Sequence, residues 1–70
     1  MAEGLSARNQ LRGTVRSILR DTVVSEVVVE IAGQEVAAVI TTSSVDRLQL
    51  REGQQVMVVI KATEVMLESL

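Results

Sequence analysis

The chain has 70 residues with no cysteine, no histidine and no aromatic residue, and its formal net charge is −2. A domain of this size buries only about 60% of its unfolded surface. Since neither disulfides nor a zinc site can add stability, we expect self-association. The missing aromatic side chains and the slightly acidic balance argue against nucleic acid and acidic membranes as partners.

The sequence shows neither a membrane span nor a secretory signal. No stretch approaches the roughly 20 apolar residues that cross a bilayer. The first residues lack the basic and then apolar layout of a signal peptide. We therefore expect a cytoplasmic protein with no membrane partner.

The N-terminal part predicts an extended arm and then a strand. Residues 1–8 are mostly small and polar. Residues 11–20 fit two patterns, because their arginines recur at the spacing of a helix face, whereas the alternation of apolar and polar residues fits a strand. We favour the strand, in which Gly13 marks a bulge or a close approach of another backbone segment.

The next two segments predict a β-hairpin. Residues 23–31 place Val27 and Val29 on one face and glutamates on the other. The turn that follows contains Gly33, which can take a positive φ angle. Residues 35–41 then run back as the third strand.

The C-terminal half predicts one short helix between strands. The hydroxyl of Ser43 precedes the acid Asp46 at the spacing of a capping box, so we expect a helix near residues 43–48. Two more strands are expected, over residues 54–61 and 63–67. Five strands with a helix between the third and the fourth indicate an all-β fold with one short helix, an OB-fold-like five-stranded β-barrel.

We expect residues 1–70 to form one domain that needs a second copy of itself. Residues 36–40 and 56–60 are apolar on both faces of their predicted strands. Strands of this kind are normally covered on both sides. Because the chain offers no second layer, the cover must come from another copy.

Catalysis and direct metal binding have little support. Without histidine, cysteine or tyrosine, the usual general bases and nucleophiles are missing. Glu26, Glu30 and Glu35 stand where solvent-facing strand charges are usual, and no metal-binding motif accompanies them. We expect neither an enzyme nor protein side chains that ligate a metal directly.

Two segments near the ends of the chain could together hold a small anion. The first contains Ser6 and Arg8 and offers a hydroxyl, small residues and backbone N–H groups ahead of a strand. The second contains Lys61, the only lysine, followed by Thr63, and lysine is a common ligand of phosphate. Plainer interpretations also exist: Lys61 fits an edge-strand charge that hinders aggregation, Arg8 a solvated arm residue and Ser6 a turn residue.

Four stretches of the sequence resemble the molbindin (Mop) family of molybdate- and tungstate-binding, TOBE-like domains. They are residues 6–15, 40–45, 50–53 and 59–67, and the similarity covers nearly the whole chain in the family's order. The resemblance implies an OB-like barrel, in agreement with the predicted strand order. For stand-alone members it also implies a hexamer built as a trimer of dimers. The same domain occurs in molybdate-responsive regulators and in molybdate transporter ATPases.

The resemblance further implies the site. In the family, the oxyanion lies between a Ser-Ala-Arg-Asn stretch of one subunit and a Lys-Ala-Thr/Ser stretch of another. Carried over to this chain, the oxyanion-binding residues are Ser6, Ala7, Arg8, Lys61, Ala62 and Thr63. One position departs from the pattern, because Val24 stands where many relatives carry asparagine. This departure puts in doubt a second anion site of the kind that some members have near the threefold axis.

The sequence therefore predicts a protein that binds molybdate or tungstate at subunit interfaces for intracellular molybdenum storage, buffering or homeostasis. A tetrahedral dianion needs hydrogen-bond donors only, and hydroxyl, N–H and ammonium groups supply them without a cofactor. Two alternatives stay open. One is an OB-type nucleic-acid-binding module, which the lack of aromatic residues disfavours, and the other is a structural oligomer without a ligand.

Overall fold

The computed structural model describes residues 6–70 and shows an antiparallel sheet with one short helix. The elements are β1 (Asn9–Arg20), β2 (Val24–Ile31), β3 (Gln34–Thr41), α1 (Thr42–Leu48), β4 (Gln55–Ile60) and a 3₁₀ turn (Ala62–Glu64). The four strands lie in the order β3-β2-β1-β4. Of the predicted N-terminal arm, residues 1–5 lie outside the described residues, and residues 6–8 precede β1 without regular secondary structure.

The strand interpretation of residues 11–20 is confirmed, and so is the hairpin that follows. β1 begins at Asn9 and pairs with both β2 and β4. β2 and β3 are joined by a tight turn in which Ala32 and Gly33 have φ angles of 51° and 83°. Two consecutive positive φ angles are typical of a hairpin turn that matches the twist of its strands.

A small core lies on the inner face of the sheet, and α1 covers one end of it. Its buried members are Val15, Val27, Val29 and Val45. Val27 and Val29 lie on the buried face of β2, as predicted. Glu26 lies on the opposite face of the strand and is exposed. The core is thus made of β-branched side chains from two strands and the helix.

The helix begins at Thr42, and its cap is not the predicted residue. Thr41 has an extended backbone (φ −67°, ψ 146°), and its Oγ1 accepts the N–H of Ser44 at 3.1 Å. The predicted cap at Ser43 was wrong, because Ser43 already lies within the first helical turn. Thr41 is also the last residue of β3, so the strand passes into the helix without a loop.

A chain of hydrogen bonds ties the start of α1 to the connection between β1 and β2. The Thr42 hydroxyl donates to the Asp21 carbonyl at 2.6 Å, and the Ser25 hydroxyl lies 2.7 Å from Thr42 Oγ1. Because a hydroxyl has one proton and Thr42 uses it on Asp21, Ser25 is the donor in the second bond. Ser25 is only 2% exposed, so this bond satisfies a polar group inside the core.

The predicted strand over residues 63–67 was wrong for the single chain, and the barrel is not closed. After β4, the backbone forms the 3₁₀ turn, in which the Glu64 N–H donates to the Lys61 carbonyl at 2.9 Å. Residues 65–70 pair with no strand among the described residues, and all of residues 61–70 are exposed. Alternation in a sequence predicts an extended backbone, but it does not identify the strand that completes the pairing. β3 and β4 are therefore free edges of an open sheet.

Both edge strands carry exposed apolar side chains, as their two-faced sequence pattern indicates. Val39 of β3 is 68% exposed, and Met57 and Val59 of β4 are about half exposed. On the inner face, an apolar cavity of about 250 Å³ opens between the strands. Within a single chain, residues 6–70 leave these surfaces uncovered.

Gly13 is a point of close approach between β1 and β2. A Cβ atom at this position would lie 2.5 Å from Val29 Cγ1 and 2.8 Å from the Glu30 carbonyl oxygen. The predicted close approach is confirmed. The irregularity in the β1–β2 register lies further along, between Val15 and Ser17.

Gly13→Ala is expected to destabilise the fold by roughly 1–3 kcal/mol, the usual cost of overpacking. One of the crowded atoms is a backbone oxygen, which cannot rotate away, so β2 would have to shift. Urea unfolding followed by far-UV circular dichroism measures the loss. Ser17→Ala, at an exposed position of the same strand, is the control and should change the stability by less than about 0.5 kcal/mol. Equal stability of the two variants would contradict the close approach.

Candidate functional site

The six predicted site residues lie in two short stretches that flank a pair of neighbouring strands. Residues 6–8 directly precede β1. Lys61 directly follows β4 and is the N-cap of the 3₁₀ turn, which contains Ala62 and Thr63. Each stretch is therefore attached to the end of a regular strand.

The strand register brings the two stretches to the same end of one chain. Asn9 of β1 and Ile60 of β4 are register partners. Arg8 comes directly before Asn9, and Lys61 comes directly after Ile60. Because hydrogen-bonded strands lie about 4.8 Å apart, the stretches leave the sheet side by side.

The two stretches present hydrogen-bond donors to solvent. Ser6, Arg8, Lys61 and Thr63 are exposed, whereas Ala7 is only 6% exposed and anchors its stretch against the protein. The start of a helical turn leaves its first N–H groups outside the turn's own hydrogen bonds. The six residues thus combine hydroxyl, guanidinium, ammonium and backbone N–H donors, and none of them carries a carboxylate.

Arg8 and Lys61 have no ion-pair partner among residues 6–70. The ion pairs in that part of the chain are Arg16–Glu30, Arg16–Glu35 and Arg20–Asp46, at 3.2, 3.7 and 2.7 Å. The positive charges of Arg8 and Lys61 are therefore available to an anion. Lys61 also follows an edge strand, so its plainer interpretation as a protective charge fits the fold equally well.

The acidic residues of β2 and β3 are exposed to solvent or paired with an arginine, so they have structural roles. Glu26 is exposed, and the register partners Glu30 and Glu35 both contact Arg16. Within the described part of the chain, no group of three acidic, histidine or cysteine side chains could hold a metal ion.

None of the helices described here has the length and apolar character needed to cross a bilayer.

Sequence reasoning missed Gln10, which contacts the first stretch directly. Its side-chain Nε2 donates to the carbonyl oxygen of Ala7 at 3.2 Å. The bond reaches from β1 back to the residues before it, so the strand holds the backbone at Ala7. The signal in the sequence is only the spacing of an amide side chain three residues after Ala7, which is too common to point to a role.

Val24, the position that departs from the family pattern, lies on the outer face in apolar surroundings. It is 48% exposed and, with Leu19 and Val39, lines a shallow depression of about 320 Å³. Arg20, at the rim of this depression, is bonded to Asp46 at 2.7 Å. Asp21 and Glu26 also line the depression, and their charge disfavours an anion, so the doubt about a second anion site stays a prediction.

Comparisons with known proteins identify the family and the fold of the chain. Residues 5–67 match the family model of the TOBE domain. Molybdenum-pterin-binding protein 1 of Clostridium pasteurianum is 42% identical over 64 residues, which cover 90% of this chain and 94% of that protein. The solved structure of MopII from Clostridium pasteurianum has a TM-score of 0.87 and 40% identity, over 94% of this chain and 100% of that one. A molybdate binding protein from Sporomusa ovata has a TM-score of 0.90 and 38% identity, over 93% and 97% of the two chains.

The likeness extends over nearly the whole chain, in sequence and in fold. The names of these relatives describe binding proteins and no catalytic activity, in agreement with the expectation that the chain is not an enzyme. The chain belongs to the TOBE domain family and, within it, to the molbindins, as the resemblance of its sequence predicts.

Proposed function

We propose that this protein binds molybdate or tungstate in the cytoplasm and serves molybdenum storage, buffering or homeostasis. The pairing of Asn9 with Ile60 carries the proposal. It gathers two donor-rich stretches at one exposed end of the sheet, together with Arg8 and Lys61, whose charges have no ion-pair partner within residues 6–70. The names of the relatives support the choice of ligand, since they describe molybdenum-pterin binding and molybdate binding.

The proposed site residues share the ability to donate hydrogen bonds, from side chains or from the backbone. They are Ser6, Ala7, Arg8, Lys61, Ala62 and Thr63. Molybdate and tungstate are tetrahedral dianions whose oxygens accept hydrogen bonds, and bonds from charged donors are roughly twice as strong as neutral ones. Because the two anions have nearly the same size and charge, one donor set accommodates both. Binding requires neither proton transfer nor redox chemistry, so it needs no histidine, cysteine or cofactor.

We further propose that the working form is a homo-oligomer, namely a hexamer arranged as a trimer of dimers. Residues 65–70, called the C-terminal segment below, support self-association because their apolar side chains are exposed. Val65 is 45% exposed, and Met66, Leu67 and Leu70 are almost fully exposed. The sheet has two free edges and an open apolar cavity. An apolar segment that pairs with no strand of its own chain suits such edges, so in this proposal the segment of one copy completes the sheet of another.

The anion is proposed to lie where this end of one subunit meets the same end of another, with residues 6–8 from one subunit and residues 61–63 from the other. On a single chain, every site residue except Ala7 is exposed, so an anion held there keeps much of its water. A second subunit would exclude that water and so strengthen each electrostatic contact. Residues 61–63 also lead directly into the C-terminal segment, which is proposed to reach the other copy.

Titration calorimetry with four anions tests the choice of ligand. Molybdate and tungstate should bind saturably, and sulfate and phosphate should bind much more weakly. Absence of heat for all four anions, with the oligomer intact, would favour the alternative of a structural oligomer without a ligand. Salt-dependent binding of single-stranded DNA or RNA would instead favour the nucleic-acid alternative.

Lys61→Ala is expected to weaken molybdate binding by roughly 1.5–3 kcal/mol, the range for hydrogen bonds to charged groups. Ser6→Ala should cost less, about 0.5–1.5 kcal/mol on the scale of neutral hydrogen bonds. Calorimetry on the folded variants gives both values.

The matched control is Arg51→Ala, which removes an exposed cation from the turn before β4, at the other end of that strand from Lys61. Its affinity for molybdate should equal that of the unmodified chain. An unchanged affinity in Lys61→Ala would return that lysine to its interpretation as an edge-strand charge.

A further inference from the structure

We infer that Gln10 is a positioning residue for the oxyanion site, because it holds the peptide between Ala7 and Arg8 with its N–H directed at the anion and its carbonyl oxygen turned away. The inference rests on the proposed function and adds to it a residue outside the predicted donor set. Gln10 itself need not touch the anion.

The hydrogen bond to Ala7 fixes the orientation of one peptide. Gln10 Nε2 lies 3.2 Å from the Ala7 carbonyl oxygen, and the described chain contains no cis peptide bond. In a planar trans peptide, the carbonyl oxygen and the following N–H point in opposite directions. With the Ala7 oxygen held toward Gln10, the Arg8 N–H must point to the opposite side.

This orientation matters because the two ends of a peptide have opposite effects on a dianion. An N–H group directed at the anion donates a charge-assisted hydrogen bond. A carbonyl oxygen in the same place would repel it. A single peptide flip at Ala7 would therefore replace a donor by an acceptor in the middle of the first stretch.

The surrounding structure allows Gln10 to hold the peptide between Ala7 and Arg8 in one orientation. Gln10 lies in β1 and is the register partner of Val59 in β4, so its backbone is fixed by the sheet. Ala7 is itself only 6% exposed, which limits the movement of the peptide on its other side. Sites built on strands keep their geometry better than sites on free loops.

The side chain must also be an amide or another donor. The NH₂ group of glutamine donates, whereas an ionised glutamate only accepts. Methionine has a similar length but no N–H. Gln10→Met thus removes the bond to Ala7 while keeping an unbranched side chain at the same place.

Calorimetry and NMR on the full chain test the inference. Gln10→Met should raise the molybdate Kd roughly three- to tenfold, the equivalent of one hydrogen bond. Its melting temperature without anion should match that of the control, Gln55→Met, which alters a glutamine exposed on β4. In ¹⁵N-labelled unmodified protein, molybdate should shift the amide resonance of Arg8 strongly, and Gln10→Met should reduce that shift.

The possible results distinguish failure of the positioning role of Gln10 from failure of the proposed function. If the unmodified chain binds molybdate and Gln10→Met binds it equally well, the positioning role is overturned while the proposed function stands. An Arg8 amide that does not respond to molybdate overturns the role even where Gln10→Met fails to fold. If the unmodified chain binds neither molybdate nor tungstate, the proposed function fails and the inference fails with it.

Discussion

Ending the chain at Glu64, which removes the C-terminal segment, is expected to prevent assembly of the hexamer. All four large apolar side chains of the segment are at least 45% exposed in the single chain. None of them belongs to the core around Val15, Val27 and Val29. Their removal should therefore abolish the contacts that this segment makes with other copies and leave the contacts within each copy intact.

The expected effect is large because four of the six residues of the segment are apolar. Complete burial of a valine, leucine or methionine side chain is worth about 1.5–3 kcal/mol. An exposed ion pair contributes at most about 1 kcal/mol, so surface charges cannot replace these contacts. Association itself costs at least about 4 kcal/mol in lost freedom of motion, so loss of the apolar contacts of the segment weakens assembly strongly.

Light scattering at micromolar concentration, without any anion, measures the outcome. The full chain should form a multimer, with the mass of a hexamer as the specific expectation. The shortened chain should have a lower mass than the multimer of the full chain and keep a far-UV circular dichroism spectrum typical of β-structure. Ser69→Ala, an exposed position in the same segment, is the control and should leave the mass unchanged. A shortened chain that keeps the multimer's mass would contradict the role of the segment, and a monomeric full chain would contradict self-association.

The strands that pair within one chain could be predicted from the sequence, and the closing strand could not. The alternation of Val27 and Val29 with outward-facing residues fixed the inner face of β2, and Gly33 marked the hairpin turn. Residues 63–67 carry a comparable apolar pattern, yet they pair with nothing in the described chain. The difference is physical, since a strand's periodicity depends on its own side chains and its pairing depends on a partner that the sequence of one chain does not locate.

The candidate site could likewise be predicted from the sequence only in part. Donor residues near Ser6 and Lys61 could be recognised by type and by family resemblance. Their adjacency depends on the pairing of Asn9 with Ile60, a tertiary contact between strands far apart in the sequence. Gln10 escaped recognition because its role depends on where one amide nitrogen lies relative to one carbonyl oxygen. The helix cap shows the same limit on a smaller scale, since Thr41 and Ser43 both have suitable hydroxyls and only the backbone path selects Thr41.

Saturating molybdate is expected to raise the melting temperature of the oligomer and to slow the exchange of its subunits. A ligand that binds only the assembly stabilises it by mass action, and at about 100 times its Kd each site adds roughly 2.7 kcal/mol. Symmetry repeats an interface site around the oligomer, so the contributions of several sites add. An anion that joins residues 6–8 of one subunit to residues 61–63 of another must be released before the two subunits separate.

Fluorescence energy transfer between labelled oligomers measures the exchange directly. The chain has no cysteine, so a single Glu52→Cys substitution in the exposed turn before β4 places the dye at one defined position. Oligomers that carry donor dye are mixed with oligomers that carry acceptor dye, and the rise in energy transfer gives the exchange rate. The rate should fall in molybdate or tungstate and should change much less in sulfate at equal ionic strength.

Lys61→Ala provides the matched control, because it removes a proposed ligand and should make the exchange rate insensitive to molybdate. The unmodified chain then decides where the site lies. Slower exchange in saturating molybdate requires that the anion contacts more than one subunit or stabilises their contact. Equal exchange rates with and without molybdate, in a protein that binds the anion by calorimetry, would place the site within one chain, where the two stretches already leave the sheet side by side. Equal rates without any binding heat would mean that the site does not exist.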